Sequence, residues 1–447
     1  MIFIQRILSK YLKNSATAAD RNRLVKGFVQ SLIIQAVSVM LVFAGNYWLV
    51  HWFGAADYGV YVHVFNWVSI IAVLALGGQE DVVLSRLPRY RAEGQPLQIG
   101  ALIRHANVRI LITGLLVTAM FLAVITVFNI PTLSGHNALF LIAAPAIYLS
   151  AFITLNQMVL QALNHIRLSQ VTERLLKPCL LIVFMGLASS LHLTNERYLV
   201  IIAVVNLVIC ALLLLFFVIS TTSVYRTRKR VKYAGKDVNR QTVNFLFISL
   251  LQLLMGKVGM LLLPVFTTPQ DVGVYNIVSR FADLVIYPSF LIHTVLPQLF
   301  AYHQQSDLAY RQSLFSESVW ITTGATVPVV VGVVVLGKWL LGYFGAGFVA
   351  GYPTLVYLTA ANLLFAAFGP CNTILMMQGK ERYAGWLLFV NVVVLAVLSS
   401  VLIPLYGIAG AGLAMLICMM LYGMLLAFFA KRYAGVGLPF LPAAFRR

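Results

Sequence analysis

Long apolar runs follow one another with almost nothing between them, and this decides the solvent in which the chain can fold. Crossing a bilayer takes about 17–25 apolar residues. Runs of that kind fall at 27–50, 59–78, 106–129, 138–162, 169–190, 197–220, 241–264, 272–299, 314–337, 353–376, 384–404 and 407–430, twelve expected spans. The longest polar gaps, 79–105 and 221–240, are too small to bury a core of their own. Of the 447 residues 61% are hydrophobic and 10% are charged, against roughly 25% charged in a soluble domain. The expected fold class is an all-α polytopic membrane protein.

Lys and Arg orient the spans. Clusters fall at Arg6–Lys26, Arg86–Arg104, Arg167–Lys177, Arg226–Arg240, Arg311, Lys380–Arg382 and Lys431–Arg447, all on one side of the alternating topology. Arg197 and Lys338 fall on the other side. The positive-inside rule then predicts that both termini are cytoplasmic. Residues 1–26 form the expected cytoplasmic N-terminus. Ile4, Ile7, Leu8, Tyr11 and Leu12 recur at helical spacing while Arg6, Lys10 and Lys13 take another face, the pattern of a helix lying on the membrane surface. The start lacks the apolar stretch of a cleavable signal peptide.

Topology also accounts for the formal net charge of +19, which is spread over the cytoplasmic ends of many helices. Nucleic acid is therefore not an expected partner; the basic run Arg226–Arg240 suits anionic headgroups. Cys179, Cys210, Cys371 and Cys418 all fall inside expected spans, with neither a metal-ligand spacing nor a disulfide pattern. No metal and no cofactor is expected.

One short phrase is written twice. DYGVY stands at Asp57–Tyr61 and DVGVY at Asp271–Tyr275. The first falls between spans one and two, the second between spans seven and eight, so six spans separate two copies of the same orientation. This predicts two six-helix lobes, 27–220 and 241–430, related by an axis along the membrane normal. The basic segment 221–240 links them, and 431–447 is a cytoplasmic tail. Each copy also has a local use: Asp caps a helix, Gly permits a turn, and Tyr anchors at the interface.

Parallel halves suggest a cavity that opens alternately to each side, and polar residues inside spans mark its wall. Lys257 lies in span seven; Arg280 and Asp283 lie in span eight. At ~1.5 Å per residue from Asp271, Arg280 is roughly 14 Å deep, near the midplane. Arg280 and Asp283, at i and i+3, can face one another as a structural ion pair or can bind substrate. Lys257 has no acid within its own span. The repeat offset sets Asn66 opposite Arg280, Ser69 opposite Asp283 and Phe43 opposite Lys257. The first half offers Gln35, Asn46, His63, Asn66 and Trp67, polar but uncharged at neutral pH. One cationic wall and one amide and aromatic wall suit a ligand with phosphate and sugar parts. Amides in spans also bond between helices, which is the commoner role for any one of them.

Glu80 and Asp81, with Arg86 and Arg89 one and two turns on, read as a cytoplasmic gate or substrate-admission patch, or equally as a solvated helix end. Glu173 and Arg174 carry the same two readings. His63 and His293 are candidates for proton coupling, though a lone membrane His is more often packed. Pro145, Pro178, Pro288, Pro297, Pro328 and Pro370 bring kinks to several spans.

The last third carries a resemblance. Gly345, Tyr352–Pro353, Gly369–Pro370, MMQGK at Met376–Lys380, Asn391 and IPLYGIAGAGLA at Ile403–Ala414, with the early pattern at Gly54–Tyr61, resemble the O-antigen and polysaccharide flippase branch of the multidrug/oligosaccharidyl-lipid/polysaccharide exporter superfamily. The resemblance implies a V-shaped, MATE-like pair of six-helix lobes in a bacterial inner membrane. It implies transfer of undecaprenyl-diphosphate-linked oligosaccharide (O-antigen, exopolysaccharide or capsule repeat units) from the cytoplasmic to the periplasmic leaflet. It implies membrane lipids and other polysaccharide-assembly proteins as partners, and cavity cations that hold the diphosphate, here Lys257 and Arg280. The lipid II branch typically has further basic residues on its first two spans; this chain lacks them there.

Two other classes compete. A multidrug cation antiporter of the same superfamily would favour acids in its cavity. A membrane enzyme, such as a polysaccharide polymerase or glycosyltransferase, needs catalytic groups on a substantial surface loop. No Asp-x-Asp, nucleophile–base pair or metal cluster is present in the sequence, so an enzyme is not expected.

Overall fold

In hydrocarbon a backbone must satisfy its own hydrogen bonds, and these apolar runs do so as helices. The computed structural model describes residues 18–128, 137–163, 165–192, 196–222, 236–289, 308–377 and 380–439. Among them there is no strand. The surface helix expected within 1–13, most of the basic linker, His293, Pro297 and the end of the tail lie outside the described residues.

The helices are α1 (Ala18–Leu76), α2 (Gln79–Ala92), α3 (Pro96–Phe128), α4 (Asn137–Ala162), α5 (Ile166–Val171), α6 (Lys177–Ser190), α7 (Glu196–Thr222), α8 (Lys236–Phe266), α9 (Pro269–Asp283), α10 (Leu308–Gly342), α11 (Ala346–Val349), α12 (Tyr352–Met377), α13 (Glu381–Tyr406) and α14 (Ile408–Ala434). A π-turn, Thr172–Leu176, joins α5 to α6. Nine described stretches are long and apolar enough to cross a membrane. One of them, Ile34–Leu76, holds two expected spans, because α1 breaks at Gly54 (φ 82°, ψ 162°). The expected span 169–190 is the α5, π-turn and α6 run, and 272–299 begins in α9 and runs past the described residues. The all-α, twelve-helix layout of the sequence reading is met.

The chain divides into two compact units. The first comprises Met1–Gly54 and Trp67–Leu250; the second comprises Ala55–Asn66 and Leu251–Arg447. Lipid offers no hydrophobic drive between helices, so small residues and buried polar bonds hold them together. In the first unit α4 packs on α7, α3 and α2. Asn156, 1% exposed, donates to Asn107 Oδ1 at 3.1 Å and ties α4 to α3. Thr113 donates to the Ala75 carbonyl at 2.6 Å, and Arg91 to the Leu163 carbonyl at 2.8 Å. Gly78 (φ 73°) starts α2 where α8 passes: a Cβ there would overlap the Thr242 carbonyl oxygen and sit 2.8 Å from the Leu246 nitrogen.

In the second unit α12 packs on α14, α10 and α9, and α13 packs on α14. Gly423 of α14 lies directly on the Phe368 ring of α12. The Asn362 amide donates to the Ala282 carbonyl at 2.8 Å, which fixes α12 on the end of α9. Ser289 and Thr326, both buried, share a hydrogen bond of 3.1 Å.

Candidate functional site

The second unit gathers four of the expected site residues: Asn66, Lys257, Arg280 and Asp283. The ammonium of Lys257 on α8 donates to Asn66 Oδ1 at 2.6 Å. Asn66, 5% exposed, in turn donates its amide to the thioether of Met260, one helical turn beyond Lys257. Lys257 was expected to lack a partner within its own span, and the partner comes from α1. Met260 carried no polar signal in the sequence and could not have been found there.

Arg280 and Asp283 of α9 are exposed. The sequence left open a structural ion pair between them. Among the described residues no such pair forms within 4 Å, whereas Arg89 and Glu93 do pair, 2.8 Å apart. Asp283 is the last residue of α9, so regular helical spacing ends there. Both charges act on Lys257, and that of Arg280 also acts on the phenols of Tyr58 and Tyr61. Of the three charged side chains here, Lys257 is half-buried and Arg280 and Asp283 are exposed. An ammonium has three donors, and among the described residues Asn66 takes one. An anionic oxygen can take the others.

The repeated phrase builds the frame of this site. Its two copies meet. A side chain at Gly59 would overlap the Pro269 carbonyl oxygen. One at Gly273 would lie 2.9 Å from the Ala55 carbonyl oxygen and 3.2 Å from the Tyr58 ring. Glycine at both places lets the segment 55–66 and α9 cross at backbone distance. Beside the crossing, Asn276 donates to the hydroxyl of the fully buried Tyr58 at 2.6 Å. Only a contact between the two copies requires both glycines, and the local reading of capping and turn did not foresee it.

Gln35, Asn46 and Trp67 belong to the first unit. Gln35 accepts from Arg174, which the π-turn carries. The Asn46 amide donates to the Val42 carbonyl of its own helix at 2.7 Å. The Trp67 indole nitrogen is buried without a hydrogen-bond partner among the described residues. Gln35 thus bonds to another helical element, the interhelical role that the sequence allowed beside the binding one, whereas the Asn46 bond stays within its own helix.

Glu80 and Asp81 lie in the first turn of α2. Burial pushes the Glu80 carboxyl up to about 7, opposed by its own backbone N–H and aided by the charge of Asp81. Asp81 is also raised by burial, opposed by the Ser249 hydroxyl that donates to it at 3.3 Å. Gln79, 1% exposed, has both amide atoms without partners among the described residues. Glu80 and Asp81 are both half-buried at this helix start. Arg86 is half-buried, and Arg89 is exposed on the Glu93 pair. Among the described residues no His, Cys, Asp and Glu cluster could hold a metal ion.

No protein-family profile and no curated protein matches the chain. Solved structures do. The lipid II flippase MurJ in an inward closed conformation aligns with TM-score 0.69 at 14% identity, over 94% of this chain and 89% of its own. An inward-facing multidrug resistance MATE family transporter of the MOP superfamily aligns with TM-score 0.69 at 12% identity, over 91% of this chain and 98% of its own. The MATE multidrug transporter DinF-BH, in complex with R6G, aligns with TM-score 0.64 at 16% identity, over 92% and 95%. At these identities the likeness is one of fold.

Proposed function

We propose that this chain is a membrane transporter that flips a lipid-linked, phosphate-bearing oligosaccharide from the cytoplasmic to the periplasmic leaflet of a bacterial inner membrane. The observation that supports the reading is that Lys257 and Arg280, which the sequence sets inside expected spans, have no direct acid pair among the described residues. A diphosphate crosses hydrocarbon only if its lost hydration is replaced. Ammonium and guanidinium donors on a wet surface replace it, and the lipid tail stays in the bilayer. Nothing covalent changes, so no enzyme chemistry is needed. The fold shared with a lipid II flippase and with multidrug transporters supports transport as the class. In this reading Gln35, Asn46, Asn66 and Trp67 contact the glycan or shape its path, and Glu80, Asp81, Arg86 and Arg89 form the cytoplasmic gate.

The exposed carboxylate of Asp283 favours one rival, an antiporter of cationic drugs. Lipid extracts from cells lacking the protein separate the two. Undecaprenyl-diphosphate oligosaccharide accumulating in the cytoplasmic leaflet establishes the flippase, and its glycan names the substrate. Normal lipid pools with raised sensitivity to cationic drugs establish the antiporter.

A further inference from the structure

Where the start of α13 meets the end of α14, in the second unit, four cations fall in one layer. Lys380 and Arg382 stand at the start of α13, and Lys431 and Arg432 in the last turn of α14. The sequence sets one acid among them, Glu381. A cluster of rings ties the two helix ends together. The Tyr383 ring lies 4.9 Å from that of Tyr433 and 6.0 Å from that of Phe429, centroid to centroid. The Lys380 ammonium stands 5.2 Å over the Tyr433 ring, and the charge of Arg432 acts on the same phenol. Further along α13 an apolar stripe faces outward. Trp386, Val390, Val393, Val397 and Val401 recur at helical spacing and all are exposed, Trp386 at 59%.

We propose that this face of α13 and α14 binds an anionic phospholipid, with the headgroup in the basic layer beside Lys380 and an acyl chain along the stripe from Trp386 to Val401. Read from the start of α13, the face is basic, then aromatic, then aliphatic. A phospholipid has the matching order: phosphate, ester region, acyl chain. A soluble anion would cover the first part alone, and an apolar helix the last. Aromatic rings favour the level of the ester region. Four cations against one acid favour a headgroup with net negative charge over a zwitterionic one. Lys338 supplies the contrast. It too stands over a ring, 5.1 Å from the centroid of Tyr352, but it is the only Lys or Arg between Arg311 and Lys380 in the sequence. A lone Lys of that kind serves as an interfacial anchor without choosing among lipids. The inference does not depend on which solute the protein carries.

Tryptophan quenching by brominated lipids tests this in vesicles of phosphatidylcholine. One series contains brominated phosphatidylglycerol, the other brominated phosphatidylcholine. The chain has six Trp, so the difference between wild type and Trp386→Phe isolates the signal of Trp386. That signal should favour phosphatidylglycerol by about fivefold for each cation the headgroup meets. Lys380→Met keeps an apolar chain against Tyr433 and loses the charge, so it should lower the preference about fivefold. Arg432→Gln repeats the test from α14, and Lys338→Met should leave the preference unchanged. Equal quenching by the two lipids overturns the proposal and returns the face to an ordinary interfacial belt. A preference that survives both Lys380→Met and Arg432→Gln overturns the basic layer as its source. Quenching of Trp386 by neither lipid overturns the proposal as well, and assigns the stripe to a protein partner.

Discussion

The two copies of the repeated phrase are nearly the same peptide in two different settings. Asp271–Tyr275 opens a helix of its own. Thr268 is its N-cap, and Thr268 and Asp271 form a reciprocal capping box, with the Asp271 carboxylate accepting from the Thr268 nitrogen at 3.1 Å. Asp57–Tyr61 stands in the same place on α1, but the position matching Thr268 is Gly54, whose non-helical backbone (φ 82°, ψ 162°) breaks α1 at a kink. The same letters thus follow a capped start in one half and a kink in the other. What the copies share is the glycine at which they cross. Further along, the settings part again: Asn66 stands where the second half has Arg280, and Ser69 where it has Asp283. The crossing is shared by both copies, while the charge stands in one of them.

Four experiments break or sharpen that comparison. Removing the charge asymmetry should cost most. Lys257→Ala and Arg280→Ala should each weaken binding of pyrophosphate-bearing lipid about tenfold or more, and the double variant should not support transport while reaching the membrane in normal amount. Normal transport by the double variant would show the charges to be structural. Next is the shared glycine. Gly59→Val forces a side chain into the Pro269 carbonyl oxygen and should destabilise by about 1–3 kcal/mol, seen as a lowered Tm in detergent. An unchanged Tm would mean that the crossing is loose.

The difference in helix starts is a smaller matter. Thr268→Ala removes the cap and should cost about 1 kcal/mol, whereas Gly54→Ala acts on a backbone at φ 82° and should straighten or strain the kink. Equal melting behaviour of the two variants would erase the distinction. The smallest effect concerns Glu80, outside the spans. Its carboxyl is raised from 4.5 to about 7, so the folded protein holds a proton that the unfolded chain releases. That contribution is fully present below about 4.5 and is lost as pH rises through 7. Glu80→Gln should flatten this slope and gain on the order of 1 kcal/mol at pH 8, once solvent screening is allowed for. A pH–stability profile unchanged by the substitution would return Glu80 to the status of a solvated helix end.

Much of the fold was legible because hydrocarbon is a strict solvent. It permits apolar helices of a narrow length, so twelve spans can be marked from composition alone, and it makes Lys257 and Arg280 conspicuous by their cost. The charge bias along the chain and the repeated phrase supplied an expected orientation and an expected pair of lobes by the same local means. Partnership was not legible. Spacing within one helix suggested that Arg280 pairs with Asp283, but α9 ends at Asp283 and no direct pair forms among the described residues. Nothing near Lys257 in sequence pointed to Asn66, which lies on another helix.

The sequence by itself determined where the long apolar runs fall and which few charges lie within them. Only the tertiary structure decided that Gly59 lies against Gly273, that Tyr58 takes the Asn276 hydrogen bond, and that Asn66 holds Lys257. The physical reason is one of range. Transfer into hydrocarbon is charged residue by residue and can be read along a line. A hydrogen bond or a backbone crossing is set by the three-dimensional approach of residues far apart in the chain, which becomes visible once the helices have packed.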